Sequence, residues 1–331
     1  MKKRAFLYIN YANIVVLNVY LDIIREALTQ MGYECEYIKT LAGIPKSELI
    51  VFPMGKDVFK YYWKGYHNVI LWQQGATGAE SFMRHHSRIR KNILNFMDCF
   101  AMRKAKMIFY VSESMKKYYE SLAHTDFSEK AYIMPCFNEA LDPDIFEKKD
   151  YSKKIFTYVG SLDLWQCFDE TVELYAEIER LNPDSFLKVL TFNTEKAEQI
   201  LKNKKIKNYS VSCVPKEQVK SELEEAVFGF ILRHDIDVNR VATPTKISSY
   251  LSAGVLPIYS SCLEDFHALA SGKSFAFSMN PGEDAEILAE HVNKTIDSAV
   301  IRKEIEELFH TYYSAENHVR NIVALASVCL R

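Results

Sequence analysis

The sequence predicts an α/β protein made of two tandem, doubly wound domains that face each other across a cleft. The chain has 331 residues, enough for two domains that each bury a core. Short, continuous apolar runs alternate with helical patterns along nearly the whole chain, which is typical of parallel sheets built from βαβ units. A polar stretch without apolar periodicity, Asn138–Lys154, separates two such series and is interpreted as a linker.

The first series of elements predicts an N-terminal domain over residues 1–140. Its apolar runs predict strands at Ala5–Ile9, Glu34–Ile38, Leu49–Pro53, Val69–Trp72, Met107–Val111 and Ala131–Met134. Helical periodicity lies between them at Val15–Met31, Val58–Tyr66, Glu80–Arg103 and Glu113–Ala123.

The second series predicts a similar domain over residues 155–313, so that both domains are Rossmann-like. Its strands are expected at Ile155–Val159, Phe186–Thr191, Tyr209–Cys213, Val227–Leu232, Val255–Tyr259 and Ser274–Phe277. Helices are expected near Cys167–Asn182, Glu195–Asn203, Glu217–Ala226, Lys246–Ala253, Ser261–Ser271 and Asp284–Ser298, with two more after Ile301. The helix over residues 314–331 is expected to pack back toward the N-terminal domain.

Composition excludes several classes of protein. A hydrophobic content of 48% and a charged content of 25% indicate an ordinary globular chain. The net charge of -2 argues against a general nucleic-acid binder. The seven cysteines are scattered without CxxC spacing, which argues for a reducing compartment and against a disulfide framework or a zinc site. Since no signal peptide or membrane-spanning run is evident, we expect a cytoplasmic protein, with contact to the inner face of a membrane left open.

The most informative segment is Val227–Ser261, in which a buried strand leads through a polar loop to a helix start. At that start Thr243 is a suitable cap and Pro244 suits the first helical position. A helix N-terminus offers unpaired amides and partial positive charge, which suit phosphate. We therefore predict a site for a diphosphate-bearing ligand formed by Arg233, Asn239, Arg240, Pro244, Thr245 and Lys246, whose three cations are strong donors to phosphate. The alternative is a plain βαβ unit with solvated basic residues.

Two other strand ends carry candidate binding residues. Gly160 and Ser161 follow a predicted strand and are a plausible second cradle for phosphate oxygens, since glycine permits close backbone approach. Gln74 and Gly75 follow another predicted strand, in the N-terminal domain. Trp165 either stacks on a base or sugar or, more commonly for a tryptophan at a helix start, packs in the fold.

The N-terminal domain carries a dense basic run over Arg84–Lys91. One interpretation is a solvated helix face; the other is contact with an anionic acceptor, such as a lipid-linked phosphate, or with a membrane surface. His85 and His86 lack a metal partner at helical spacing. Ser112 is interpreted mainly as a helix cap.

Motifs of other enzyme classes are absent from the sequence. It has no GxGxxG, GxxxxGK[ST], HExxH or GxSxG, so nicotinamide-dependent dehydrogenases, P-loop NTPases, zincins and serine hydrolases fit poorly. The Asp235-Ile236-Asp237 stretch has magnesium-binding chemistry, but a solvated loop is the preferred interpretation, and no metal site is predicted.

The order strand–Gly-Ser–helix, then strand–Arg–loop–Pro-Thr-Lys–helix–Ala-Gly–strand, resembles the nucleotide-sugar domain of GT-B fold glycosyltransferases of group 1 (family 4). The stretch from Gln73-Gln74-Gly75 to Glu80-Ser81 is similar to a loop of bacterial polysaccharide glycosyltransferases in this group. The resemblance implies a nucleotide-diphosphate sugar as donor substrate, no other cofactor, a glycan or lipid-linked glycan acceptor, and a metal-independent enzyme that retains anomeric configuration.

Several positions depart from the pattern of that family. Ser161 stands where many members have an arginine, and no lysine follows it at the usual place. Val241 and Ser249 stand where many members have two glutamates, which leaves the ribose and sugar contacts unassigned. No glycine-rich loop follows the first strand, where residues 10–13 read Asn-Tyr-Ala-Asn. Arg233, Arg240 and Lys246 would therefore have to hold the diphosphate.

The hypothesis drawn from these residues is a hexosyltransferase-type glycosyltransferase. Lys246 and Arg240 would stabilise the charge of the leaving diphosphate, and Glu80 would orient or deprotonate the acceptor hydroxyl. One alternative is a nucleotide-sugar 2-epimerase on the same architecture, which the missing glutamates disfavour. Another is a two-domain binding protein of the periplasmic type, which the absent signal peptide disfavours.

Overall fold

The computed structural model describes residues 3–9 and 14–330, so the Asn-Tyr-Ala-Asn stretch after the first strand lies outside the described residues. These residues form two compact units. The first comprises the chain up to Cys136, the short segment Val241–Thr243 and the C-terminal stretch from Ser314. The second comprises Phe137–Arg240 and Pro244–Tyr313.

The first unit is built on a six-stranded parallel sheet. Its strands are β1 (Lys3–Tyr8), β2 (Tyr33–Ile38), β3 (Leu49–Phe52), β4 (Val69–Gln73), β5 (Met107–Tyr110) and β6 (Ala131–Ile133). They lie in the order β2-β1-β3-β4-β5-β6, and all neighbours run parallel. The helices of this unit are α1 (Ile14–Gln30), α2 (Gly55–Tyr62), α3 (Thr77–His85), α4 (Arg88–Lys104), α5 (Glu113–Ala123) and α15 (Ala315–Cys329), the last of which contacts α1.

The second unit repeats this architecture. Its strands are β7 (Ile155–Val159), β8 (Phe186–Leu190), β9 (Tyr209–Ser212), β10 (Phe228–Ile231), β11 (Leu256–Tyr259) and β12 (Phe277–Ser278), in the order β12-β11-β10-β7-β8-β9 and all parallel. The helices are α6 (Ile145–Lys148), α7 (Phe168–Leu181), α8 (Thr194–Asn203), α9 (Lys216–Leu223), α10 (Asp237–Arg240), α11 (Thr245–Ser252), α12 (Glu264–Ala270), α13 (Ala285–Val292) and α14 (Ser298–Thr311).

The two parallel six-stranded sheets confirm the predicted fold class of two doubly wound α/β domains. The reason lies in the apolar runs: every residue of β3, β4, β5, β10 and β11 is buried, because helices cover both faces of the sheets. Each large apolar side chain that is removed from water contributes roughly 1.5–3 kcal/mol to stability. The strand ends, where functional side chains lie, are thereby fixed on rigid elements.

The prediction of one continuous helix over Glu80–Arg103 is wrong, because the chain breaks between α3 and α4. His86 ends α3 in the left-handed region, with φ 51°. Ser87 then caps α4 by accepting a hydrogen bond from the Arg90 amide at 3.3 Å. A serine at this position offers the backbone a local alternative to the helix, which helical periodicity alone does not reveal.

Three further features are relevant to the sequence predictions. The predicted linker contains a short helix, α6, which was not expected. All seven cysteines are free thiols. Among the described residues, no helix combines the length and the apolar character needed to cross a bilayer.

Candidate functional site

Helix α11 in the second unit has no cap from the side chain of its N-cap residue, and Pro244 precedes the helix instead of occupying its first helical position as predicted. Pro244 occupies the N-cap position, and Thr245 is the first helical residue. The expectation that Thr243 caps this helix is wrong, because the Thr243 hydroxyl accepts a hydrogen bond from the Cys136 amide at 3.1 Å instead. Pro244 has no side chain that accepts from the first turn of α11, and a helix N-terminus without such a cap can receive an anion.

Packing fixes α11 firmly against the sheet. The Tyr250 ring lies directly over Gly229, where an added Cβ atom would come within 2.3 Å of the ring. The Tyr250 hydroxyl accepts a hydrogen bond from the Val159 amide at 3.1 Å. On the other side of the helix, Asn138 Oδ1 accepts from the hydroxyls of Ser248 and Ser249, each at 2.9 Å. These contacts set the position of Lys246 on the first turn.

Arg233 and Lys246 come together around a single neutral acceptor. Gln166 Oε1 accepts from the Arg233 guanidinium at 2.8 Å and from the Lys246 ammonium at 2.5 Å. Gly160 lies beside them with φ +139°, and an added Cβ atom there would stand 2.9 Å from Lys246 Nζ. Only glycine adopts this backbone conformation without strain. Its lack of a side chain also leaves room for the Lys246 ammonium group. Gly160, Arg233 and Lys246 are therefore the predicted residues that the fold brings together.

The positive charge of Arg233 and Lys246 favours the binding of an anion between them. Burial around the Lys246 ammonium, and secondarily the nearby Arg233, hold the pKa of Lys246 well below its usual value. Burial also lowers the pKa of Arg233, whose residue is only 4% exposed. The Tyr158 ring, 4.9 Å from Lys246 Nζ, and the Gln166 amide oxygen supply only partial negative charge. An anion placed here would relieve the repulsion between the two cations.

Other predicted residues of this unit are engaged with partners outside the cation pair. Arg240 is exposed and makes a two-point ion pair with Asp235 at 2.6 and 3.0 Å, which raises the pKa of the guanidinium. The Asp235-Ile236-Asp237 stretch is thus engaged with an arginine, since Asp237 also lies 4.0 Å from Arg240. Asn239 is buried and donates to the His234 carbonyl at 2.9 Å, a contact that holds the loop.

Ser161 does not reach the cation pair either. Its hydroxyl donates to Asp163 at 2.7 Å, and its carbonyl accepts from the Tyr158 hydroxyl at 2.6 Å. Both bonds shape the turn that follows β7. The serine at this position therefore organises the turn next to Gly160.

Two pockets of the second unit each include one member of the cation pair. The first has a volume of about 270 Å³ and is lined by Lys246, Gly160, Thr245 and Ser249, together with Asn138, Glu139, Lys216 and Lys220. The second has a volume of about 550 Å³ and is lined by Arg233, Arg240, His234, Asp235 and Asn280, among others. Sequence reasoning missed Gln166, Asn138 and Glu139, because only the folded chain brings these residues to α11.

Cys167, Glu170 and His234 form a cluster with metal-ligand chemistry. Their ligand atoms all lie within 4.8 Å of one another, and His234 Nε2 is 2.6 Å from Glu170 Oε1. Cysteine, histidine and glutamate are ligands that zinc accepts. Burial raises the pKa of Cys167 to about 11, and the nearby Arg233 and Lys246 give this region positive potential. Both effects oppose binding of a dication, so the geometry favours an anion next to this cluster.

In the first unit, Glu80 lies against the loop that follows β4. Its carboxylate packs so closely on Gly75 that a Cβ atom there would stand 2.1 Å from Glu80 Oε1. Burial raises the pKa of Glu80, and the nearby Arg84 partly opposes this shift. Gln74 donates from its side-chain amide to the Pro53 carbonyl at 3.0 Å. Glu80 and Gly75 are thus in contact.

A second carboxylate that sequence analysis missed, Asp98, lies in the same pocket as Glu80. Asp98 is 2% exposed, and its Oδ2 atom accepts from the Tyr119 hydroxyl at 2.9 Å and from Gln73 Nε2 at 3.3 Å. Burial raises the pKa of Asp98 to about 6. The pocket measures about 310 Å³ and is lined by Gly55, Lys56, Thr77, Glu80, Arg84, Arg90 and Asp98, among others. The signal in the sequence is an acidic residue inside the apolar run Phe96–Met102.

The predicted cap at Ser112 is confirmed. Its side chain accepts from the Met115 amide at 2.9 Å, and its hydroxyl donates to the Val241 carbonyl at 2.7 Å. The second bond ties the segment Val241–Thr243 to the first unit.

Comparisons with known proteins give matches in structure but not in sequence. No protein-family model matches the chain, and no curated protein matches its sequence. Among solved structures, sucrose-phosphate synthase from Thermosynechococcus elongatus matches with a TM-score of 0.70 and 12% identity over 99% of both chains. The Anabaena protein HepE, solved in complex with UDP and glucose, matches with a TM-score of 0.68 and 11% identity over 99% of this chain and 100% of that chain.

A third similar structure is Staphylococcus aureus TarM, solved as a mutant in complex with fondaparinux, α-GlcNAc-glycerol and UDP. The TM-score is 0.62 with 8% identity over 85% of this chain, and the match spans 55% of the TarM chain. A glycosyltransferase from Rickettsia africae matches over nearly the full length of both chains with a TM-score of 0.63. Nothing among these similar structures supports the epimerase alternative. At these identities the likeness is one of fold: the chain has the two-domain α/β fold of GT-B glycosyltransferases.

Proposed function

We propose that the chain is a glycosyltransferase of the group 1 (family 4) type. It would move a hexosyl group from a nucleotide-diphosphate sugar to a glycan or lipid-linked glycan acceptor, with retention of anomeric configuration and without a metal ion. The observation that carries the proposal is the pair Arg233 and Lys246, which converge on Gln166 Oε1 next to Gly160 and the uncapped start of α11.

The diphosphate would take the place of the Gln166 amide oxygen between the two cations. Charged donors form the stronger hydrogen bonds to phosphate, and the first amides of α11 add the partial charge of a helix N-terminus. Gly160 would let the donor approach the backbone of the β7 turn. Arg240 would join only after releasing Asp235, so it is assigned to the outer part of the diphosphate site.

The pocket next to Lys246 would hold the nucleoside. Ser249 replaces a carboxylate of the resembled family, and Glu139 lines the same pocket. We propose that Glu139 and the Asn138–Ser249 pair take over the hydrogen bonds to the ribose.

Departure of the sugar leaves added negative charge on the diphosphate. Lys246 and Arg233, fixed by packing before the reaction, would stabilise that charge without reorganisation, which is often the largest contribution to catalysis. In the first unit, Glu80 would orient or deprotonate the acceptor hydroxyl. The raised pKa of Glu80 brings it nearer the working pH of a general base.

A thermal-shift experiment tests the donor assignment. Nucleoside diphosphates of uracil, guanine and thymine should be compared with their nucleosides, since a ligand of the folded state stabilises by RT ln(1 + [L]/Kd). At least one diphosphate should raise the melting temperature by several degrees, at about 100-fold excess over its Kd, while its nucleoside raises it far less. Equal effects of all nucleosides and diphosphates would contradict the proposal.

Incubation with the matching nucleotide sugars then tests the reaction. Release of the nucleoside diphosphate should be slow without acceptor and should accelerate with a glycan acceptor. Glu80→Gln should lower transfer by about 100-fold or more while leaving nucleotide binding unchanged, because general-base assistance contributes about 10²–10⁴-fold. The matched control is the exposed Glu129→Gln of the same unit. Formation of a new nucleotide sugar, without transfer, would overturn the glycosyltransferase assignment.

A further inference from the structure

Helix α4 presents a row of large apolar side chains outward. Ile89, Ile93 and Phe96 are 76%, 55% and 60% exposed. Their spacing of four and three residues puts them on one face of the helix. Trp63, at the end of α2, is 70% exposed and stacks on Phe100 of α4 with ring centroids 5.8 Å apart. We call Trp63, Ile89, Ile93 and Phe96 the α4 stripe.

The aromatic rings beneath the stripe join it into one surface. The Phe59 ring contacts those of Phe96 and Trp63, with centroids 6.1 and 6.5 Å apart. The stripe is therefore supported by packed aromatic residues from two helices and is held in place before any partner arrives. An apolar surface of this kind in a folded chain commonly marks an interaction site.

Positive charge surrounds the α4 stripe. The segment from Met54 to Lys106 contains ten Lys or Arg residues and three acidic residues, in a chain whose net charge is -2. None of the three acidic residues, Asp57, Glu80 and Asp98, is exposed. The cationic rim consists of exposed basic side chains of α2, α3 and α4 and of the turn after α2: Lys56, Lys60, Lys64, Arg84, Arg88, Arg90 and Lys104.

We propose that the α4 stripe and its cationic rim dock onto an anionic lipid bilayer. Apolar side chains with basic residues around them fit the boundary between headgroups and acyl chains, and long basic side chains reach from there to lipid phosphates. A tryptophan suits this boundary because its ring is apolar and its indole N–H is polar. Charge complementarity selects anionic lipids as the occupant, since the exposed charged residues of the segment from Met54 to Lys106 are all basic.

The cationic rim shares residues with the pocket around Glu80 and Asp98. Lys56, Arg84 and Arg90 belong to the cationic rim and also line that pocket. A pocket that opens among residues of the rim would receive an acceptor from the bilayer surface, which favours a lipid-linked acceptor. This last step rests on the proposed function, whereas docking itself does not.

Vesicle flotation with the full chain, without nucleotide or acceptor, tests the docking. Vesicles of phosphatidylcholine containing phosphatidylglycerol at roughly one part in three should bind the protein about tenfold more strongly than phosphatidylcholine alone, and added salt should weaken binding. Ile93→Ser/Phe96→Ser should lower binding about tenfold or more. The matched control Ile287→Ser/Val328→Ser removes two exposed apolar side chains elsewhere and should bind like the unaltered chain.

Fluorescence quenching by brominated lipids gives a second measurement that does not depend on the serine variants. Tryptophan emission should be quenched on anionic vesicles, and Trp63→Phe should abolish the quenching while the protein still binds. Equal binding of the stripe variant and the unaltered chain would overturn the proposal, as would absence of binding to anionic vesicles at low salt. Self-association through the stripe, seen as a dimer that the stripe variant loses, would also overturn it.

Discussion

Two side-chain cations share one neutral acceptor at the start of α11, and this arrangement explains most of the chemistry proposed here. Lys246 and Arg233 both donate to Gln166 Oε1. Burial lowers the pKa of both groups, and the charge of Arg233 lowers that of Lys246 further, since the amide oxygen carries too little charge to offset the two cations. A diphosphate would supply the missing charge, and the lysine would then regain its proton affinity.

Lys149 is a second lysine with an unusual environment, and it permits a prediction about stability. It is buried, and its amine donates to the carbonyls of Leu223 and Ala253 at 3.1 and 2.6 Å. A neutral amine has two N–H donors, which match these two acceptors. Burial, partly opposed by Glu224, lowers the pKa of Lys149 to about 7.

The folded protein therefore binds fewer protons than the unfolded chain between pH 7 and the ordinary lysine value of about 10.4. Stability should rise with pH in this window, by up to about 1.4 kcal/mol per pH unit. Lys149→Met should abolish this contribution. The free energy of unfolding of the unaltered chain minus that of Lys149→Met should therefore increase from pH 7 to pH 9. Urea denaturation at the two pH values measures it; the same difference at both would contradict a neutral Lys149.

At the level of single residues, the sequence predicts which residues carry the chemistry of the candidate site better than it predicts their hydrogen-bond partners. Arg233 and Lys246 follow a buried strand and start a helix, and both features are local. Arg240 lies in the same stretch of sequence, but a bond to Asp235 five residues away turns it outward. Gln166 could be assigned only from the fold, because its partners Arg233 and Lys246 are distant in sequence.

Among the elements, α11 depends on one glycine of the neighbouring strand. Gly229 in β10 leaves room for the Tyr250 ring, and Tyr250 in turn holds the Val159 amide. The Gly229→Ala change would place a methyl group 2.3 Å from that ring, so the helix or the ring must move. A closely packed core tolerates such overpacking at a cost of about 1–3 kcal/mol.

We predict that Gly229→Ala lowers the free energy of unfolding by about that amount and also weakens nucleotide binding, since Lys246 moves with its helix. Tyr250→Leu in the same protein should recover part of the stability by making room for the methyl group. Double-mutant analysis of chemical denaturation measures this coupling. Strictly additive effects of the two substitutions would show that Gly229 and Tyr250 do not compete for space.

The elements themselves follow from the pattern of apolar runs. Each predicted strand overlaps an observed one, and the strands that are buried along their whole length, such as β4 and β10, read as continuous apolar runs. The error at His86 has a different origin. The basic run from Arg84 to Lys91 keeps helical composition throughout, and the break depends on one left-handed residue and one serine cap. Such local backbone choices do not change hydrophobic periodicity.

For the whole molecule, the two units do not follow the chain in simple order. Val241–Thr243 belongs to the first unit although it lies between elements of the second, and the stretch from Ser314 also belongs to the first. The Ser112 hydroxyl and the Cys136 amide each donate a hydrogen bond to this inserted segment. The composition of the sequence does not indicate that Val241–Thr243 belongs to the first unit. That assignment depends on contacts between residues more than a hundred positions apart.

The two kinds of chemistry proposed for this chain belong to two different units. The second unit carries the cations and the helix start, while the first carries the carboxylates Glu80 and Asp98. A donor site that favours anions and an acceptor site that favours hydroxyl groups have opposite electrostatic requirements. Separate domains let each site be built without compromising the other.

The central claim is that Lys246 binds the donor diphosphate, and isothermal titration calorimetry tests it most directly. The best nucleoside diphosphate should bind Lys246→Ala about 10- to 100-fold more weakly, because a charged hydrogen bond is worth about 1.5–3 kcal/mol. Lys246→Arg should retain part of the affinity, and the exposed Lys202→Ala should retain all of it.

The same titrations in buffers of different ionisation enthalpy should show that the unaltered chain takes up more protons on binding than Lys246→Ala does, since the diphosphate would raise the lowered pKa of Lys246. Unchanged affinity and unchanged proton uptake in that variant would contradict the assignment of Lys246 to the diphosphate.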